Sequence, residues 1–387
     1  MRNITQILFA IFLFLMPLYV FGYQFPDLSF ELARSRNSTH FAIFSLDGQK
    51  IVAGYDDNTA QVFHASTGRL LLTLKGHTDT VYSANFSADG NQIVTGSGDN
   101  TIRVWDAQTG ALRLTLPGHS CAVYSVAFSP DGKKIASGSN DHTVKIWSAI
   151  DGRILLTLEG HSGAVRSVAF SRNSEQILTA AWDCTARIWT ADSGSLVLKL
   201  QHNGCVYSAM FNPDETRIVT ASSDDKTAKV WDAKNGQKLF DLKGHTYAVD
   251  CATYSYDGSL IVTGANDDSA MLWDAKTGKK LKKVVTRGGN VYAAVFSPVE
   301  KKFVLALWDG AINVVLLAPD ELLKPETSKM ITYTQQIKDY LSTTIGTKDF
   351  KGYLESLGET TKSTEAEIFN SLKPYTQEYL RRLLPGR

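Results

Sequence analysis

Apolar and polar residues alternate along most of this chain in short runs, and the runs recur at a fixed interval. The stretch at 118–147, GHSCAVYSVAFSPDGKKIASGSNDHTVKIW, is the cleanest unit. Within it VYSVAF, KKIASGS and VKIW alternate with period two and predict strands, while SPDG and NDHT predict the turns between them. A further Gly-containing turn leads into a fourth strand of the LRLTL type. The interval is set by Trp105, Trp147, Trp189, Trp231 and Trp273, each 42 residues after the last. One step back falls on Phe63 and one step forward on Val315, both inside matching segments, so there are seven units. No stretch among them has helical spacing.

A four-stranded sheet with two apolar faces cannot bury both by itself. Stacking such sheets radially covers the faces, and closing the ring removes most open edges. The predicted fold class is therefore all-β, a seven-bladed propeller over residues 27–318. The seventh unit supplies VYAAVF, KFVLAL and AINVVLL, then meets Ala318-Pro319 with no fourth strand. LSFELA at 28–33 aligns with LRLTLP at 112–117, so the N-terminal segment is expected to complete the last blade beside Val315.

With Gly-His at the start of a unit and Trp-Asp or a near variant at its end, the pattern resembles the WD40 repeat family over about residues 27–318. That resemblance implies a non-catalytic scaffold for protein or peptide partners. It also implies a hydrogen-bonded His, Ser/Thr, Asp and Trp inside each blade. Matched by motif, blade two offers His77, Thr95, Asp99 and Trp105, and blade three His119, Ser137, Asp141 and Trp147. Blade four offers His161, Thr179, Asp183 and Trp189. Blade five offers His202, Thr220, Asp225 and Trp231, although Gln201 replaces the Gly and the pair is shifted by one residue. Blade six offers His245, Thr263, Asp267 and Trp273. Blades one and seven keep Asp57 and Asp309 but carry Phe63 and Val315 at the Trp position, with Ser35 and Arg287 near the His position. Both ends of the ring are accordingly expected to be less tightly tied.

The chemistry of such a group needs no family. A buried indole N–H, a hydroxyl and an imidazole require partners, and a carboxylate can accept from the imidazole. Five of eight His occupy the repeated position, leaving His40, His64 and His142. A catalytic constellation is normally unique in a chain, whereas these groups recur, so they are assigned structural roles. The sequence holds no GxSxG, GxxxxGK[ST], HExxH or EF-hand loop, and no catalytic residue, metal or small-molecule cofactor is assigned.

Recognition is expected on one rim, where loops meet a rigid scaffold. The residue after the one opening each first strand is, around the ring, His40, Tyr82, Tyr124, Arg166, Tyr207, Asp250 and Tyr292. Tyr and Arg are the side chains that dominate binding hot spots, although tyrosines at strand starts also pack between blades. The residue before each blade Asp is Asp56, Gly98, Asn140, Trp182, Asp224, Asn266 or Trp308. Trp182 and Trp308 are the two Trp not used by the repeat, and a turn has no need of an indole, so both are assigned to partner contact. A small-ligand binder or enzyme using the central channel is the competing reading, with His40, Asp56 and Asp250 as its hints.

Charge adds an exclusion. Lys plus Arg number 40 against 39 Asp plus Glu, a balance that argues against a nucleic-acid partner. At the N-terminus, Arg2 precedes an uncharged apolar run from Ile7 to Tyr23, predicting an export signal over 1–22 cleaved near Gly22, or otherwise a membrane anchor. An exported chain would be secreted or periplasmic, with membrane contact only if that segment stays. Cys121, Cys184, Cys205 and Cys251 form no CxxC pair, so a zinc site or redox motif is not expected; disulfides are permitted, but small buried thiols in strands are the preferred assignment. After Pro319 alternation gives way to helical spacing, with Thr364 and Glu367 as a capping box. Residues 319–387 are expected to form a helical region, docked on the propeller or recruiting a membrane complex.

Overall fold

The computed structural model of the chain describes residues 29–286 and 288–317. Leu28, Arg287, the export segment at 1–22 and the helical region expected at 319–387 lie outside the described residues. The described residues form seven antiparallel four-stranded sheets, arranged as the blades of a propeller. In each of the first six the strands run a, b, c, d from the inside outward in chain order; the seventh differs only in the origin of its outer strand.

Burial follows from that arrangement. In blade three the b strand, Lys134–Ser139, is buried at every position but its first, and the c strand, Val144–Ser148, nearly so. The d strand, Ile154–Leu158, is exposed or half-buried until Leu158. Middle strands lie between neighbouring blades and so are apolar on both faces, whereas the outer strand has water at its edge. Where blades approach most closely the b strand must be small. A Cβ on Gly138 would stand 2.7 Å from Val165 Cγ1 of the next blade. Ala180 and Ala221 hold the same register in blades four and five, both fully buried.

The a–b hairpins are fixed by side chains. In the SPDG turn Ser129 Oγ donates to Asp131 Oδ1 at 2.6 Å and the Lys133 amide donates to the same oxygen at 3.1 Å. Gly132, at φ 71°, takes the left-handed conformation that ends the turn.

Ring closure is made by Ser29–Arg34, which pairs antiparallel with Ala311–Leu316 from Ser29↔Val315 to Arg34↔Ala311, with a bulge between Glu31 and Ala33. Leu32 joins a core cluster with Tyr55 and Phe63 of blade one and Val304 and Val314 of blade seven. The looseness expected of the two end blades is corrected in part. Arg34 Nη1 donates to Asp309 Oδ2 at 2.6 Å, and Asn37 Nδ2 donates to Asp57 Oδ2 at 3.1 Å. Residues from the N-terminal segment thus hold the two carboxylates that have no His, though at exposed positions where such contacts are weak.

Candidate functional site

Inside blades two, three, four and six a continuous hydrogen-bond relay runs from strand c to the rim. In blade two Trp105 Nε1 donates to Thr95 Oγ1 at 2.8 Å, Thr95 Oγ1 meets His77 Nε2 at 2.7 Å, and His77 Nδ1 meets Asp99 Oδ2 at 2.8 Å. The carboxylate can only accept and so takes Nδ1–H, and because burial disfavours the imidazolium, Nε2 accepts from the hydroxyl. Blade three repeats it with Trp147, Ser137, His119 and Asp141. Blade four repeats it with Trp189, Thr179, His161 and Asp183. Blade six repeats it with Trp273, Thr263, His245 and Asp267. Burial pushes all four imidazoles below their ordinary range. Burial also works against the carboxylates, but hydrogen bonds from Thr101 and His77 outweigh it and hold Asp99 at about 2.

Blade five departs from the expected relay. Trp231 Nε1 still donates to Thr220 Oγ1 at 2.8 Å, but neither ring nitrogen of buried His202 has a hydrogen-bond partner among the described residues. Asp225 is bound instead by Lys229 Nζ. The reason is local length. Val206 follows Val165 by 41 residues, so strand a begins one residue early, while the b–c turn is one residue longer and leaves Asp225 at the usual 42 after Asp183. Imidazole and carboxylate no longer meet. Burial, then the charge of Lys229, drives the His202 imidazole down to about 3.

Acid stability follows with a definite sign. A His whose folded pKa is depressed binds its proton more readily in the unfolded chain, so its contribution is intact above the unfolded value and is lost as pH falls below about 6.5. His77, His119, His161, His202 and His245 all act this way. Asp250, raised to about 7 by burial, acts oppositely between that value and the ordinary carboxylate range. Five groups against one predict a thermal midpoint that declines from pH 7 to pH 5. A midpoint that rises over that interval in a pH series of melts contradicts the assignment.

The rim brings both predicted registers together into a collar. Ring centroids run from Trp308 to Tyr292 at 5.9 Å, Tyr292 to His40 at 5.8 Å, and His40 to Tyr82 at 5.1 Å. They continue from Tyr82 to Tyr124 at 5.1 Å, Tyr124 to Trp182 at 6.2 Å, and Trp182 to Tyr207 at 5.9 Å. Arg166, the one cation of its register, lies 4.1 Å above the Tyr124 ring and 5.2 Å above Trp182. Asp250 breaks the circuit between Tyr207 and Tyr292, and its charge is felt by both phenols. Packing between blades and partner contact are therefore not exclusive: the rings meet edge-on at Tyr82, stacked between Tyr292 and His40 and tilted at Trp182, and each tyrosine keeps part of its ring open. Trp182 remains 37% exposed and Trp308 54%.

The residues that hinted at a channel site are accounted for locally. His40 Nε2 meets Asp56 Oδ1 at 2.6 Å, and Asp250 is half-buried beside Asn266 and Arg166. Among the described residues, no three His, Cys, Asp or Glu side chains come together as a metal site. Sequence reasoning missed Lys229 and also Arg187, whose Nη2 donates to Asp183 Oδ2 at 3.1 Å. A signal existed, since the residue two before the blade Trp is Arg103, Lys145, Arg187 or Lys229 in four successive blades. The thiol assignment is corrected too: only Cys251 is a buried strand residue, while Cys121, Cys184 and Cys205 are half-buried at the rim.

Five segments, residues 68–106, 110–148, 152–190, 194–232 and 236–274, match the family described as WD domain, G-beta repeat. Together they cover half of the chain and end each time at the residue after the blade Trp. Comparison with the curated proteins finds no match.

Proposed function

The chain is a member of the WD40 family, a seven-bladed propeller of the kind that serves as a non-catalytic scaffold for protein and peptide partners, and we propose that it engages them on its aromatic collar. The observation that carries this is the unbroken run of rings from Trp308 to Tyr207. Large, rigid, amphipathic side chains on an immobile frame give contact area at low entropic cost. Asp56, Asp79, Asp224 and Asp250 lie close enough to bear on the collar's phenols. A partner segment carrying basic side chains fits such a surface, by charge and by attraction of cations to aromatic faces.

The double variant W182A/W308A tests the assignment. Each Trp lost from a hot spot costs about 2 kcal/mol or more in binding, whereas both indoles are substantially exposed and contribute little to folding. Binding of basic peptides on an array is expected to fall at least tenfold, with the melting midpoint nearly unchanged. A large fall in the midpoint shows that the indoles are core; undiminished binding places the contact elsewhere.

On sequence grounds we assign the protein to an exported compartment, with cleavage near Gly22, and a helical region to 319–387. N-terminal sequencing of the mature protein decides the first: a blocked or intact Met1 indicates an anchor. Circular dichroism of the chain with and without residues 320–387 decides the second.

A further inference from the structure

Two cysteines that the collar does not use meet beneath Trp182. Cys184 ends the b–c turn of blade four, immediately before Thr185–Thr190, and Cys205 immediately precedes the first strand of blade five, Val206–Phe211. The fold sets both against one carbonyl. Cys184 Sγ lies 3.9 Å from Trp182 O and Cys205 Sγ 3.5 Å from the same oxygen. Both sulfurs are thus held within 3.9 Å of a single atom, and Cys184 is close enough for its charge to bear on Cys205. Backbone pairing holds the segments side by side: Thr185 is in register with Gln201, and the His202 amide donates to Cys184 O at 2.9 Å. Both thiols are half-buried, within reach of a small reagent.

The turn itself does not call for a thiol. Cys184 sits at φ 65°, in the left-handed region, where blades one and two place Asn58 and Asn100 at φ 68°. Asn takes that conformation at lower cost than Cys.

We propose that Cys184 and Cys205 are a covalent modification site, closing into an intramolecular disulfide by exchange with a low-molecular-weight disulfide such as oxidised glutathione. The Cys184 thiolate attacks one sulfur of the reagent, forming a mixed disulfide and releasing one thiolate, which takes up a proton. Cys205 then loses its proton, attacks the Cys184 sulfur and expels the second thiolate. The pair gives up two electrons and two protons, and the reagent leaves as two thiols. Burial, with Asp224 and Cys184 adding to it, holds the Cys205 thiol above its ordinary range, so the closing step quickens as pH rises. The bridge ties the turn carrying Trp182 to the entry of blade five, and its formation does not depend on what the collar binds.

The test is exchange of the full chain with oxidised glutathione, followed by peptide mapping without reduction. One cross-linked pair joining Cys184 to Cys205 is expected, with loss of two free thiols and a closure rate that rises with pH. C184S and C205S each abolish the link and leave the remaining cysteine as a glutathione adduct, while C121S preserves it. Circular dichroism and the melting midpoint of each serine variant confirm that the propeller remains folded. Glutathione adducts on both cysteines without a cross-link, a cross-link through Cys121, or no reaction at either thiol overturns the proposal.

Discussion

His119→Leu is expected to lower the folding free energy by about 3 kcal/mol, while the same change at His202 leaves stability unaltered or raises it. The two residues occupy the same place in successive odd blades and are equally hidden from water, so burial alone predicts equal losses. Their hydrogen bonds separate them. Removing the His119 imidazole strips Ser137 Oγ of a partner at 2.7 Å and Asp141 of one at 2.7 Å. Leaving a buried acceptor or donor unpaired costs about 1–3 kcal/mol each, with more for a charge. Asp141 keeps Thr143 and the Ser120 amide, which bounds the loss. At His202 there is nothing to strip, since both nitrogens are already without partners among the described residues. Leucine there replaces two desolvated polar atoms by apolar ones of similar bulk. Chemical denaturation of the two variants decides the matter, and equal losses would refute the broken relay in blade five.

Deleting residues 1–34 is expected to be the most damaging truncation of the N-terminal region. It removes the outer strand of the last blade, uncovers Ile312, Val314 and Val315, and takes Leu32 out of the core shared by blades seven and one. It also frees Asp309 from Arg34. Burying Leu32 alone is worth about 2 kcal/mol, and the exposed strand becomes an apolar edge open to pairing between molecules. A fall in the melting midpoint of roughly 10 °C with aggregation is the expected outcome. Deletion of residues 1–26 serves as the control and leaves the closing strand intact. A protein lacking residues 1–34 that stays monomeric with an unchanged midpoint would show that closure lies elsewhere.

The ring was legible because its evidence is periodic. Trp105 to Trp273 fixed the count, and the missing seventh outer strand pointed to LSFELA. The collar was legible as two registers, since Tyr82, Tyr124, Tyr207 and Tyr292 share a position relative to strand a. What could not be seen were the places where period and geometry part. In blade five two one-residue shifts of opposite sense cancel, so Trp189 to Trp231 keeps its spacing while His202 and Asp225 move apart. The capture of Asp309 by Arg34 joins residues 275 apart, and no local pattern encodes such a distance. The meeting of Cys184 and Cys205 is equally silent in the sequence, because it depends on how one blade hands the chain to the next.

The closing pair also dictates an order of events on the ribosome. Ser29–Arg34 is made before the six blades that follow it, and its mate Ala311–Leu316 comes about 280 residues later, roughly 15 to 60 s at ordinary rates of translation. Six blades can form from contiguous chain during that wait, while the seventh requires Ser29–Arg34 to be kept in reserve. A polypeptide whose synthesis stops before Ala311–Leu316 therefore presents an unlatched ring with unpaired strand edges.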